Sequence, residues 1–321
     1  MKKTSTIFVS GHQGLVGSAI VRRLMLEGMT NVLTASRTEL DLRSQHDVDQ
    51  WFAEHRPEIV VIAAGTVGGI IANSTRPAEF IYDNIMIHSN IIESSRKFGV
   101  AKLLYLSSGC VYPKESLQPL REEFLMTGKM EETNIWYGIA KLAGIKMCQA
   151  YRRQYGLDYI SAIPATIYGP GDNFDPNNSH VIPGMIHKIY QANEKDDKTV
   201  RLWGSGRPRR EFLFVDDLAD AIIFLLHKYS GEEPINIGIG SDVAVSALAE
   251  LIRSQIAPSV GIEFDQTKPD GVQQKLLDSS KINSIGWKHS VSLEEGLRRT
   301  IGWYVKRREN VEGVRGVRIE K

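Results

Sequence analysis

Gly11-His12-Gln13-Gly14-Leu15-Val16-Gly17 joins a short apolar run, Thr6 to Ser10, to a stretch with apolar residues at Leu15, Val16, Ala19, Ile20 and Leu24. The run before the glycines reads as a buried strand, and the spacing after them predicts a helix over Leu15 to Glu27. Strand, glycine turn and helix in that order make a dinucleotide cradle. The glycines permit a tight turn and close approach of backbone to a pyrophosphate, whose charge the helix N-terminus stabilises. The spacing is G-x-x-G-x-x-G, one residue wider at the front than the usual fingerprint. The flanking strand and helix therefore carry the reading as much as the glycines do.

Outward from that turn, strand-like and helix-like stretches alternate. Asn31 to Ala35 predicts a strand, Gln45 to Glu54 a helix, and Glu58 to Ala64 a nearly all-apolar strand of the kind buried on both faces. Pro77 to Phe98 is helical in pattern and opens with a proline, which suits a first turn. Lys102 to Ser107 follows as a strand, Trp136 to Tyr155 as a helix and Asp158 to Ile163 as a strand. This alternation implies an α/β fold, a doubly wound parallel Rossmann sheet with right-handed crossovers. After it comes a polar loop rich in turn residues, Gly169 to Asn178, of a length that is often functional. Val200 to Trp203 and Glu211 to Val215 read as strands and Asp216 to Leu226 as a helix. The expected division is a dinucleotide-binding domain over 1–167, joined by about 208–236, and a smaller C-terminal α/β substrate domain over 168–207 and 237–310, with a basic tail over 311–321.

The chain has 321 residues, 42% hydrophobic and 24% charged, enough apolar side chain to offset ordering entropy. Lys plus Arg at 39 against Asp plus Glu at 38 gives a net charge of +1, so no global field draws it to nucleic acid or anionic lipid. Neither partner is expected, nor is a metal. Two cysteines cannot make a disulfide framework, the apolar run near Met1 is too short for a signal peptide, and no run approaches a membrane span. A cytoplasmic location with reduced thiols is the expectation.

The chemistry lies in two further motifs. The second strand ends in Ser36-Arg37, with no carboxylate where an NAD site places one for the ribose, and Arg37 is available to a 2′-phosphate, which favours NADP. Tyr137-Gly138-Ile139-Ala140-Lys141 puts a phenol and an ammonium one helical turn apart. A nearby ammonium is expected to lower the phenol's pKa and make Tyr137 a proton donor and acceptor. The strand ending in Ser107-Ser108-Gly109 offers a serine hydroxyl to hydrogen-bond a carbonyl being reduced.

Together these motifs resemble the extended short-chain dehydrogenase/reductase family, in its nucleotide-sugar branch. The likeness runs in order from residue 11 to about 290. It includes Val67-Gly68-Gly69-Ile70, Pro77-Ala78-Glu79-Phe80, Ser108-Gly109-Cys110-Val111-Tyr112-Pro113, Tyr168-Gly169-Pro170, Asp172-Asn173-Phe174, Asn178-Ser179-His180-Val181-Ile182-Pro183, Trp203-Gly204-Ser205-Gly206, Arg210-Glu211-Phe212 and Lys268-Pro269-Asp270-Gly271. Cys110 distinguishes the epimerase/reductases from dehydratases and 4-epimerases of the branch.

The resemblance implies NADPH-dependent 3,5-epimerisation and 4-reduction of GDP-4-keto-6-deoxy-D-mannose to GDP-L-fucose. The alternatives are the same chemistry on another GDP-4-keto sugar, a 3,6-dideoxy sugar or a heptose, or a nonenzymatic NADP-sensing protein. It implies a catalytic set of Ser108, Cys110, Tyr137, Lys141 and His180, with Cys110 as base toward C3 and C5 and His180 as acid on the opposite side. The cofactor set it implies is Gly11, Gly14, Leu15, Val16, Gly17, Arg37, Asp41, Leu42, Leu106, Lys141, Pro164, Ile167 and His180. For the GDP end it implies Asn178, Lys188, Trp203 and Arg210, and for the long helices a homodimer interface. Cys148 is assigned to packing. Gln13 and Lys188 stand where the family often has arginine, Thr66 where it has lysine, Gly109 where it has serine, and Pro164-Ala165-Thr166-Ile167 lacks an asparagine common there.

Overall fold

A computed structural model describes residues 2–176, 179–268 and 270–313. The first half delivers β1 (Ile7–Ser10), α1 (Leu15–Leu26), β2 (Val32–Leu33), α2 (Gln45–His55), β3 (Ile59–Ile62), α3 (Ile70–Thr75), α4 (Pro77–Lys97), β4 (Lys102–Leu106), α5 (Ile135–Tyr155) and β5 (Asp158–Pro164). Then come β6 (Thr166–Tyr168), α6 (Val181–Glu194), β7 (Thr199–Trp203), β8 (Arg209–Arg210), β9 (Phe212–Phe214), α7 (Val215–Lys228) and β10 (Ile235–Ile237). The chain ends in β11 (Val243–Ala244), α8 (Val245–Ile256), β12 (Gly261–Asp265), β13 (Gln274–Lys275), α9 (Ser280–Ser284) and α10 (Leu293–Gly313).

Six strands form one sheet in the order β10-β5-β4-β3-β1-β2, and all of its pairings are parallel. Every residue of β1 and β3 is buried, because helices cover both faces. On one face Ala19, Ile20 and Leu24 of α1 pack with Leu218, Ile222 and Leu225 of α7. On the other, Val48 and Phe52 of α2 meet Ile91 and Ile92 of α4 and Ile145 of α5. This is the doubly wound α/β architecture. A third core gathers Ile182, Ile186 and Ile189 of α6, Leu202 of β7, Leu248 and Ile252 of α8, and Leu297 and Ile301 of α10.

Two elements differ from the sequence expectation. The second strand pairs only through Val32 and Leu33, since the chain turns at Ser36, whose amide donates to the Glu39 carboxylate at 2.7 Å and whose carbonyl takes the amides of Glu39 and Leu40. The strand expected over Glu211 to Val215 is β9 alone. Glu211 is buried between β8 and β9, its carboxylate accepting the amides of Ile239, Gly240 and Leu277, and α7 already begins at Val215.

Candidate active site

In a doubly wound sheet, ligands bind beyond the carboxyl ends of the strands where the strand order reverses. Here β1 continues to β2 on one side and to β3 on the other, so the reversal falls between β1 and β3. Gly11 follows β1 with φ +76, and a Cβ there would lie 2.8 Å from Ala64 Cα, just past β3. A Cβ on Gly17 would meet the Gly11 carbonyl oxygen at 2.1 Å, so the helix can cross the turn only without a side chain. Gly14 donates to that same carbonyl at 3.0 Å and caps α1 with no side-chain bond, and the first turn, with Leu15 and Val16, holds no acid. The free amides suit an anion. The residues present therefore fit a dinucleotide pyrophosphate.

The turn after β2 places Arg37 exposed and, among the described residues, in no ion pair. A carboxylate that sequence reading passed over, Glu39, lies in the same turn, folded back on the Ser36 amide, a bond that holds it below the usual carboxylate range. Asp41 is tied to Arg43 at 2.8 Å, and that hydrogen bond brings its carboxyl down to about 2. The Leu42 carbonyl accepts from Asn90 at 3.0 Å. Leu106 and Pro164 end β4 and β5, and Ile167 lies on β6.

The chain brings Ser108, Cys110, Tyr137 and Lys141 together. β4 ends at Leu106, and a 3-10 turn over Gly109–Val111 follows, with Ser108 Oγ accepting the Cys110 amide at 3.4 Å. Tyr137 and Lys141 stand on the first turns of α5. Lys141 is buried, its Nζ donating to the Leu106 carbonyl at 2.9 Å and lying 5.7 Å from the Tyr137 ring centre. Burial brings its pKa down to about 8.

The lowered Tyr137 pKa expected from the Tyr-Lys spacing is not found. Burial pushes the phenol well up, Cys110 adds to that, and only the hydrogen bond with Ser108 opposes it. The ammonium faces a carbonyl and two ring faces, those of Tyr105 and Tyr137, instead of neutralising the phenolate. The environment of Tyr137 thereby favours the protonated phenol.

Cys110 is half-buried, receives Asn134 Nδ2 at 3.4 Å, and lines a small cleft with Glu131, Gln274 and Lys275. Cys148 is fully buried, and burial pushes its thiol up to about 12. His180 is half-buried immediately before α6, where burial lowers its imidazole pKa.

A second cluster lies beside the third core. Trp203, at the end of β7 and 53% exposed, has the Lys188 ammonium 4.9 Å and the Lys268 ammonium 5.6 Å from its ring centre. Burial lowers the pKa of Lys188. Arg210, on β8, donates to its neighbour's carbonyl at 2.8 Å, and burial lowers its pKa while Asp270 works against that. Asp270 accepts the Ser205 amide and hydroxyl at 2.8 and 2.6 Å. Asn178 lies outside the described residues. Lys268, Lys275 and Asn134 were not singled out from sequence, although Lys268 stands within a motif that carries the resemblance.

Among the described residues no group of His, Cys, Asp and Glu is placed to hold a metal ion, and no helix is long and apolar enough to cross a membrane. Comparison with known proteins agrees with this geometry. The chain is 51% identical over 304 residues to GDP-L-fucose synthase 1 of Arabidopsis thaliana, covering 95% of this chain and 94% of that protein. A GDP-6-OMe-4-keto-L-xylo-heptose reductase from C. jejuni superposes with a TM-score of 0.91 at 34% identity, covering 96% of this chain and 99% of that one. A GDP-L-fucose synthetase from Naegleria fowleri, solved bound to NADP, superposes at 0.89 with 26% identity, covering 96% of each chain. The model of the NAD dependent epimerase/dehydratase family matches residues 7–239, from β1 and its glycine turn to just past β10. With cradle, tyrosine–lysine pair and relatives in agreement, the chain belongs to the NAD dependent epimerase/dehydratase family.

Proposed function

We propose that the chain is an NADPH-dependent epimerase/reductase that converts GDP-4-keto-6-deoxy-D-mannose to GDP-L-fucose, inverting C3 and C5 and then reducing C4. The observation that carries this is the thiol of Cys110 beside the Ser108, Tyr137 and Lys141 group. A reductase needs only the last three. A base next to them adds proton abstraction alpha to the same carbonyl. The half-identical relative named GDP-L-fucose synthase supports the substrate.

The 4-keto group acidifies its neighbouring C–H bonds. Cys110 as thiolate takes the proton at C3 or C5, S–H forming as C–H breaks, and the electron pair moves into an enolate that Tyr137 and Ser108 stabilise by hydrogen bonding. His180 returns a proton to carbon from the other face. A bound nicotinamide dinucleotide supplies the hydride for C4. Tyr137 donates its phenolic proton to the O4 alkoxide, and Lys141, anchored on the Leu106 carbonyl, braces the turn of α5 that carries the phenol. Lys188, Trp203, Lys268 and Arg210 hold the GDP end, with cations for the diphosphate and an aromatic surface for the base.

Arg37 supports NADPH over NADH, and the NADP-bound Naegleria structure is in keeping with it. We read the third core as a separate substrate domain. We also read the exposed Tyr82, Trp136 and Ile139 of α4 and α5 as a homodimer contact, and the free thiols as suited to the cytoplasm. Incubation with the 4-keto-mannose substrate and NADPH, with the product identified by NMR, tests the function. Formation of GDP-L-fucose supports it. Turnover only with a GDP-4-keto-heptose supports the second reading, which the 34% identical heptose reductase favours. No turnover with either revives a sensor.

A further inference from the structure

Asn134 occupies the N-cap of α5, where an asparagine side chain ordinarily accepts an amide of the second or third helical residue. It makes no such bond. Its Nδ2 donates instead to Cys110 Sγ at 3.4 Å, and its Oδ1 is buried without a partner. Giving up the cap and leaving a buried oxygen unsatisfied are both unfavourable. The contact with sulfur is what the arrangement retains. Gly138 makes room for it, since a Cβ there would lie 2.8 Å from the Cys110 carbonyl oxygen, so the first turn of α5 is seated on the Cys110 turn.

We infer that Asn134 is a positioning residue for Cys110, its amide N–H holding the sulfur toward Tyr137 and stabilising the thiolate. The inference rests on the proposed function for what the thiolate then does. In that step the sulfur's electron pair takes the proton and the C–H pair enters the enolate. Asn134 stays neutral throughout and donates more strongly to the anion than to the thiol. Tyr112, Lys114, Glu131, Tyr137 and Lys275 are the other charged or titratable groups around the sulfur among the described residues, and none of them is altered in the test.

The test is carboxamidomethylation of Cys110 by iodoacetamide across a pH series in the full chain, with peptide mass spectrometry separating it from the buried Cys148. Asn134→Ser restores a helix cap but has no amide donor, and Asn134→Asp keeps the shape with acceptors only while adding a carboxylate that itself opposes the thiolate. The serine variant should alkylate about tenfold more slowly at neutral pH, the scale of one hydrogen bond to a charged group, and the aspartate variant more slowly still. The serine variant should melt no lower than wild type, which sets a lost fold aside, and it decides the matter alone if the aspartate variant does not fold. Profiles that superpose on wild type overturn the inference. Solvent deuterium uptake at C3 and C5 separates the two readings. A fall in step with alkylation supports both, and slow alkylation with undiminished uptake keeps the hold of Asn134 on the thiol while removing Cys110 as the base.

Discussion

The Lys141 ammonium sits 2.9 Å from the Leu106 carbonyl oxygen, with the residue only 5% exposed. One carbonyl and two ring faces are a poor substitute for water around a charge, so burial lowers the amine's pKa from 10.5 to about 8. Below about 8 the amine is charged in both folded and unfolded chains, and folding bears the whole desolvation cost. As pH rises toward 10.5 the unfolded chain still binds the proton that the folded one has lost, so stability rises and the cost vanishes. Lys141→Met should therefore raise the Tm of the cofactor-free protein by roughly 2–5 °C at pH 7, with the gain shrinking as pH approaches 10. Scanning calorimetry at both pH values checks it, and a gain independent of pH would contradict it.

The two half-reactions should separate by mutation. Cys110→Ser is expected to abolish deuterium uptake from heavy water at C3 and C5 while leaving NADPH binding nearly unchanged. Tyr137→Phe should lower reduction by roughly 100-fold or more, the scale of a lost general acid, and exchange by less. NMR of the recovered sugar and NADPH consumption read the two arms. Equal loss of both in Tyr137→Phe would show that the phenol is also needed for the enolate.

Arg37 makes no ion pair among the described residues, and Glu39 is occupied by the Ser36 amide. Arg37→Ala should raise KM for NADPH about tenfold, one charge-assisted contact, and barely alter that for NADH. Steady-state kinetics with both cofactors decides it. An equal loss for both would make Arg37 a surface residue only.

Lys188 and Lys268 both stand over Trp203, so two like charges share one exposed ring. On the proposed function, an arriving diphosphate would relieve that repulsion. Removing either lysine by alanine should raise KM for the GDP-sugar by roughly 3- to 30-fold, with kcat little changed and a weaker salt dependence of KM. Kinetics over a salt series measures this, and an unchanged salt dependence would place the lysines outside the binding site.

Much of the architecture could be read from residue order. The glycine turn, the apolar β3 and the long α4 and α5 announce themselves because a strand buried on both faces and an amphipathic helix each impose a period on the sequence. The break at Glu211 could not be read so, because it depends on amides from Ile239, Gly240 and Leu277, remote in the chain. The Tyr137–Lys141 spacing correctly puts both residues on one turn of α5. It says nothing of how deeply they are buried, and burial is the leading cause of both their shifts. Asn134 carries no signal in the sequence, and only its distance to Cys110 Sγ shows a use.

The first sheet borrows from late in the chain. α7 covers α1, and β10, only three residues long, pairs with β5 at the far edge. A ribosome that has already delivered the glycine turn and every strand through β5 has still to deliver Leu218, Ile222 and Leu225, which seal the apolar face of that turn's helix. The nascent nucleotide-binding half thus waits, with an oily flank bare, until about seven-tenths of the message has been translated. During that interval its neighbours on the polysome, or a holdase, are the surfaces it can meet.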